Sequence, residues 1–309
     1  MEYIKITCGW ATSEQITKRL LSQFKTPEID LTNISFVHDH TYDLLVVMGY
    51  FTEDLRDGAS CIVFPQEPTW TGNHQKNFSK PQCGRTNEDI CVLGFDTHYY
   101  TPQDIVTETI AHMFYGGVGP VSEGYDFWNY DHLMNGVFNK TKGFCSFVSQ
   151  LGLDNRPYES GCLYSDRINL IRSIHSQTTY MDFYGWGNKD NLKPGVAQKG
   201  PAIKDYQFSL AIENSYEKNY LSEKFYDCIL TNTIPIYYGC PNIKDYWPEE
   251  GYILLDNITD HNRVIDKLHQ IQENQEEIYN RMLPELLRIK TRYFKEFNLL
   301  KKILTYAQT

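Results

Sequence analysis

Short apolar runs set off by polar turns recur in two series along this chain, and this pattern restricts the possible folds more than any other feature. In the first half, YIKITC (3–8) is followed by ISFVH, YDLLVV, SCIVF and ICVLGF. Such runs suit buried parallel strands. Thr12 followed by Gln15 supplies a capping-box start for a helix through Phe24. Later helices of this half are poorly marked. The alternation restarts with FCSFVS (144–149), a strand. DRINLIRSIHS places apolar residues at 168, 170, 171 and 174, a helical spacing, and TTYMDFYG is a strand ending in glycine. FSLAIEN alternates outward and inward as a further strand. Leu221, Phe225, Cys228 and Ile229 recur at helical spacing, and TIPIYYG and YILLD are strands. Pro235 must occupy a position that donates nothing to the ladder. Two helices close the chain, roughly 261–282 and 284–307, with Pro284 in the first turn of the second. Residues 97–141 between the halves read as an irregular linker or surface segment. Its GGVGPVS lacks the third glycine of a dinucleotide loop and is interrupted by Pro120. Two βα series parted in this way predict an α/β chain with two Rossmann-like domains across a cleft.

Composition narrows the class of partner. The net charge is −10, whereas a protein that tracks a phosphate backbone carries a basic patch, so a nucleic-acid polymer is not an expected partner. A single nucleotide needs only one or two cations and stays open. The 23 tyrosines suit clefts for polar rings, and equally suit half-buried strands. The eight cysteines form no CxxC pair. Cys83 and Cys91 are spaced for a bridge and the others are scattered through apolar runs, which reads as reduced intracellular thiols. No signal peptide opens the sequence and no apolar run reaches the length of a membrane span, so a cytoplasmic location, with at most peripheral membrane contact, is expected.

The chemistry concentrates at FSLAIENSYEKNYLSEKFYDCILTNTIPIYYGCP (208–241). Ser222 stands at a helix start, with Glu223 and Lys224 in the first turn. Unpaired N–H groups and the helix dipole attract phosphate there, and Lys224 adds a full charge. Glu223 repels phosphate but can accept both hydroxyls of a vicinal diol, so a nucleoside diphosphate would use the two residues together. A solvated helix end, with Glu223 favoured by the dipole, fits the same residues on physics alone.

The same stretch resembles the donor-site signature of glycosyltransferase family 10, the α-1,3/4-fucosyltransferases. That signature is an apolar strand, Glu-Asn-Ser/Thr, a short spacer, Tyr-Val-Thr-Glu-Lys, a helix, and an apolar-Pro-apolar strand ending in Tyr-Gly. Here stand Glu213-Asn214-Ser215, Tyr220-Leu221-Ser222-Glu223-Lys224, Ile234-Pro235-Ile236 and Tyr238-Gly239. KGFCSFVS and TYMDFYGWGN resemble two earlier elements of the family, the second including Tyr184. Between them Arg167, followed by Leu170 and Ile174, fits the family's helix-opening arginine, with Arg156 and Arg172 as substitutes. The family's Ser-Asn pair reads Ser149-Gln150 here. IVFPQEPTW puts Glu67 where members carry a candidate base in a Gly-Glu-Asn context, with both neighbours replaced.

The resemblance implies a GT-B fold, with residues 1–141 as an acceptor-binding domain and 142–285 as a nucleotide-sugar domain. A C-terminal helix, 286–309, returns to the first domain with Phe297, Leu300, Ile303 and Leu304 on one side. It implies an inverting transfer of L-fucose from GDP-fucose to a glycan hydroxyl in α-1,3/4 linkage. Another activated sugar, or a carbohydrate-binding protein without turnover, are the alternatives. Glu223 would hold the ribose, Lys224 and Arg167 the diphosphate, and Asn214 and Tyr220 would line the pocket, with Glu213 and Tyr184 as secondary candidates. Glu67 would be the base and Trp70 an acceptor platform, with Asp39 and Glu108 in reserve as bases. Phe127, Trp128 and Tyr130 fit either sugar stacking or linker packing. No Asp-x-Asp occurs in the chain, so no metal is expected to be required, although a divalent ion can stimulate. His38-Asp39-His40 lacks a nearby third ligand and reads as surface or core histidine. No cysteine is marked as a nucleophile, and a glycosidase leaves the Glu-Lys helix unexplained. Eukaryotic members usually carry a membrane anchor, so the expected source is bacterial or viral, or the sequence is a shortened chain.

Overall fold

The computed structural model describes residues 1–9, 11–48, 52–53, 55–64, 90–92, 129–148, 161–185, 193–194 and 199–308. Its strands form two all-parallel sheets. The first contains β1 (Glu2–Cys8), β2 (Ile34–Phe36), β3 (Leu44–Met48), β4 (Ser60–Phe64) and β5 (Ile90–Val92), in the order β2-β1-β3-β4-β5. The second contains β6 (Lys142–Val148), β7 (Met181–Gly185), β8 (Lys193–Pro194), β9 (Tyr206–Ile212), β10 (Ile234–Tyr238) and β11 (Ile253–Leu254). Its order, β8-β7-β6-β9-β10-β11, is that of a dinucleotide-type sheet and reverses direction between β6 and β9. Open α/β sheets bind ligands beyond the strand ends at such a reversal.

The described helices are α1 (Ser13–Phe24), α2 (Tyr130–Asn135), α3 (Tyr164–Gln177), α4 (Lys199–Ile203), α5 (Glu223–Leu230), α6 (His261–Glu273), α7 (Gln275–Glu296) and α8 (Leu299–Ala307). Thr12 caps α1 with both arms of the expected capping box. Three expectations need correction. Strand β9 does not alternate: every residue from Tyr206 to Ile212 is buried, because helices cover both faces of this central strand. Asn129 caps the short helix α2, accepting from His132 N at 2.8 Å, within the stretch expected to be irregular. The C-terminal helices break at Asn274 and Phe297–Asn298, and Pro284 lies inside α7. A proline within a helix costs about 3 kcal/mol. Here Tyr279, Met282, Leu286, Ile289, Tyr293 and Phe294 bury one continuous face around it and offset that cost.

Helix α7 spans the molecule. Its start is tied to β9 through Gln275 Nε2, which donates to Gln207 Oε1 at 2.6 Å. Its end packs Tyr293 and Phe294 against Phe24 of α1 at 6.0 and 6.2 Å between ring centroids. The expected division at 285/286 therefore falls within a continuous helix. Helix α8 lies against α1, with Leu300, Ile303 and Leu304 buried, and Asn298 Nδ2 donates to Phe24 O at 2.9 Å. Phe297 does not share that side; it closes α7 and packs on Trp247 at 4.8 Å. Tyr130 meets Phe294 edge-on at 5.1 Å, which is a packing contact. One apolar core runs from β1 and α1 through to β9, β10 and α7. Cys8, Cys61, Cys145, Cys162, Cys228 and Cys240 are buried, and Cys83 of the expected Cys83–Cys91 bridge lies outside the described residues. No described helix is long and apolar enough to cross a membrane.

Candidate nucleotide-sugar site

The end of β9 and the start of α5 are joined by one buried carboxylate. Glu213 follows the last residue of β9 and is fully enclosed. Its Oε1 accepts from Ser222 N at 2.8 Å and its Oε2 from Ser222 Oγ at 2.5 Å. Tyr237 OH donates to Oε1 at 3.3 Å, and Lys224 Nζ stands 3.6 Å from Oε2. Burial pushes this carboxyl up, and the Lys224 charge and the Ser222 hydrogen bonds oppose the shift. Glu213 thus holds the helix start in place. Gly239 keeps the space free, since a Cβ there would lie 2.3 Å from Glu213 Cγ.

Ser222 caps α5, its hydroxyl accepting from Lys224 N at 3.3 Å. Lys224 Nζ then reaches Ser222 Oγ and Glu223 Oε1, each at 3.1 Å. Burial disfavours its charge, but the summed attraction of Glu223 and Glu213 holds its pKa above the ordinary lysine value. Glu223 remains 30% exposed and Lys224 13%, so the pair opens outward from an enclosed base.

Arg167 of α3 joins this group from across the sheet reversal. Its Nη1 donates to Asn214 Oδ1 at 2.6 Å and to Ile212 O at 3.3 Å, and Tyr164 covers the guanidinium at 5.0 Å. The side chain is buried, yet Nε and Nη2 find no acceptor among the described residues. Burial lowers its pKa from the ordinary arginine value. A buried guanidinium with unused donors costs free energy unless an anion meets it. A diphosphate suits it, because guanidinium forks match phosphate oxygens. The adjoining loop is fixed by Asn219, which has φ 66° and accepts at Oδ1 from Asn242 Nδ2 at 2.8 Å and Tyr246 OH at 2.5 Å. Tyr220 follows, enclosed, and its phenol interacts electrostatically with Arg167.

The structure therefore brings Arg167, Glu213, Asn214, Tyr220, Glu223 and Lys224 together. Arg172 lies farther along α3, and Arg156 lies outside the described residues, as do Glu67, Trp70, Glu108, Phe127 and Trp128. Tyr184 belongs to another cluster. Its OH meets Tyr206 OH at 2.8 Å, Tyr206 donates to Asp182 Oδ2 at 2.5 Å, and Lys193 pairs with Asp182 at 2.8 Å. Asp39 accepts from Thr41 Oγ1 at 2.6 Å and Thr41 N at 3.0 Å; these bonds, the side-chain one first, lower its pKa. His38 Nδ1 lies 3.0 Å from Ser13 Oγ, and His40 Nδ1 3.9 Å from Glu53. Among the described residues no group of three His, Cys, Asp or Glu side chains could hold a metal.

Sequence reasoning missed Lys199. Its Nζ pairs with the buried Asp227 at 3.0 Å, one turn beyond Glu223 on α5. Burial opposes its charge, but attraction to Asp227 and then Glu223 prevails and holds its pKa above the ordinary lysine value. Nothing in the spacing of KGPAI marks that long-range pairing.

Comparison with known proteins agrees with this arrangement. The family model described as "Glycosyltransferase family 10 (fucosyltransferase) C-term" matches residues 137–295, just over half of the chain. The chain is 25% identical to "Alpha-(1,3)-fucosyltransferase FucT" of Helicobacter pylori over 171 residues, 54% of this chain and 33% of that protein. It is 28% identical to "GDP-fucose protein O-fucosyltransferase 3" of Homo sapiens over 126 residues, 37% of this chain and 26% of that protein. The matches thus span about a third or less of the length of these curated relatives. A crystal structure of an alpha1,3-fucosyltransferase superposes with a TM-score of 0.52 at 16% identity, covering 92% of this chain and 80% of that one. An alpha-glucosyltransferase superposes with a TM-score of 0.57 at 9% identity, covering 99% of both. The structural likenesses establish a GT-B fold, and the matched domain shows that the chain belongs to glycosyltransferase family 10, the fucosyltransferases.

Proposed function

We propose that the protein transfers L-fucose from GDP-fucose to a hydroxyl of a glycan, with inversion at the anomeric carbon and in α-1,3/4 linkage. The observation that carries this reading is the buried Arg167, with Nε and Nη2 unused, beside Lys224 at the capped start of α5. Glu223 takes the ribose diol, and Arg167 and Lys224 take the diphosphate. Asn214 and Tyr220 line the pocket, and Glu213 positions the helix start. The acceptor oxygen bonds to C1 as the bond from C1 to the diphosphate oxygen breaks. The electron pair leaves with GDP, where Arg167 and Lys224 stabilise it. Glu67 receives the acceptor proton, contributing about 10²–10⁴-fold as a general base. The names of the relatives, α-(1,3)-fucosyltransferase and GDP-fucose protein O-fucosyltransferase, support fucose as the sugar. Residues 142–285 carry the donor and 1–141 the acceptor face.

Calorimetry with GDP, together with product analysis after incubation with GDP-fucose or UDP-glucose and a panel of glycan acceptors, tests this assignment. Lys224→Ala removes a charge-assisted contact and should weaken GDP binding about 10- to 150-fold, the equivalent of about 1.5–3 kcal/mol. Unchanged GDP affinity would remove the donor role of α5. Transfer from UDP-glucose alone would replace fucose as the sugar.

A further inference from the structure

We propose that Tyr216 and Tyr238 form the floor, and Asp166 the wall, of a subsite that residues 142–285 add to the acceptor face of 1–141, for a pyranose ring of the acceptor glycan, an assignment that rests on the donor reading above for its orientation. Tyr216 is 47% exposed although it is a large aromatic, and its ring stacks on Tyr238 at 5.3 Å and 29°. The stack is built rather than loose. Tyr216 N donates to Gly161 O at 2.7 Å, and Ser215 pairs with Cys162 in an antiparallel bridge. Gly161 has φ 87°, and a Cβ there would lie 3.2 Å from Tyr216 O. Tyr238 is anchored in turn, since its carbonyl accepts from Glu213 N at 2.9 Å. Asp166 stands one residue before Arg167 in the first turn of α3, half-buried, and no hydrogen bond or ion pair ties it to another described residue. It is near enough to Tyr238 that its charge, after burial and Tyr216, helps raise that phenol's pKa.

Placement decides the occupant. Right-handed crossovers from β6 to β7 and from β9 to β10 run in opposite directions, so α3 and α5 lie on opposite faces of the sheet. Tyr237 points to the α5 face, where it packs on Phe225 at 5.3 Å. Its neighbour Tyr238 therefore points to the α3 face. With the ribose on Glu223, at the α5 side, and the diphosphate over the end of β9, the sugar end of the donor emerges toward α3. Tyr216, Tyr238 and Asp166 stand there. One face of a pyranose presents C–H groups that pack on an aromatic ring, and a carboxylate accepts from adjacent hydroxyls. A platform this open to solvent suits the ring that enters and leaves freely, which is the acceptor.

Saturation-transfer NMR of the full chain with GDP tests this, using methyl glycosides of galactose, glucose, mannose and N-acetylglucosamine as probes. At least one should receive saturation from the parent and from Tyr216→Phe. Binding should weaken about three- to tenfold in Tyr216→Ala and fall in Asp166→Asn, while the affinities for GDP and GDP-fucose stay at parental values. The subsite is overturned if no glycoside contacts the parent, or if Tyr216→Ala binds glycosides normally. It is also overturned if Tyr216→Ala weakens GDP or GDP-fucose, since the ring would then belong to the donor. Failure of the parent to bind GDP would instead overturn the donor reading, and glycoside contact can be read without GDP.

Discussion

Arg167 shows how one residue combines a structural cost with a function. Its guanidinium is buried, Nη1 is committed to Asn214 and Ile212, and the remaining nitrogens, which have no acceptor among the described residues, are assigned to the diphosphate in the proposed function. Arg167→Met removes the unused donors but also leaves Ile212 O and Asn214 Oδ1 without their partner, so the readout is GDP affinity by calorimetry, which should fall, and an unchanged affinity would remove Arg167 from the donor site. Glu67 carries the complementary prediction on the acceptor side. Glu67→Gln keeps shape and removes basicity, so turnover should fall by about 10²-fold or more while GDP affinity is unchanged. Steady-state rates and calorimetry on the same preparation separate the two effects. Turnover within about threefold of the parent, well short of a general base's contribution, would remove Glu67 from the mechanism.

At the scale of elements, the turn from α5 to β10 is locked from below by a lysine of α7. Lys290 is buried, donates to Asn232 Oδ1 at 2.9 Å, and lies 5.1 Å from the Phe138 ring. Burial pushes its pKa down to about 7 from an ordinary 10.5. Between those values the unfolded chain binds the proton that the folded chain lacks, so this contribution to stability should rise with pH from about 7 until about 9, above which the buried thiols of Cys145, Cys228 and Cys240, pushed up by burial, contribute in the opposite direction. Lys140, likewise brought to about 7 by burial, adds to the same slope. Thermal melts across this window should show the rise, and Lys290→Met should remove part of it. A melting temperature with the same pH slope in parent and variant would show that Lys290 stays charged in the fold. The helix α5 itself was legible in the sequence, because Ser222 and the apolar spacing at 221, 225, 228 and 229 are local signals. The burial of β9 on both faces was not, because alternation in FSLAIEN does not reveal what covers the polar positions: Ser209, and Gln207 just before that run, are enclosed by neighbouring elements.

Across the whole molecule, the two sheets share one core, and α7 and α8 carry the chain from the second sheet back to α1. Nucleotide binding should therefore be read locally and not as a general tightening. Hydrogen exchange with GDP should protect 208–225 and the Arg167 helix, and protection confined to 1–100 would reverse the assignment of halves. The proposed leaving-group chemistry uses Arg167 and Lys224 and no metal, so activity should survive EDTA. Complete loss on chelation, restored by manganese, would contradict that chemistry.

The sequence by itself determined most of the strands, the helices α1, α3 and α5, and the family resemblance of the stretch from Glu213 to Lys224, because periodicity, capping and a compact motif act over a few residues. It did not determine which distant groups meet. Arg167 and Asn214 are 47 residues apart, and Asn298 and Phe24 are 274 apart. Lys199 finds Asp227, and Tyr216 finds Tyr238, only once the strands are ordered about the reversal between β6 and β9. Pro284 illustrates the same limit in one residue. Its local preference is a helix start, but burial of the surrounding face of α7 outweighs that preference, and only the packed structure supplies the burial.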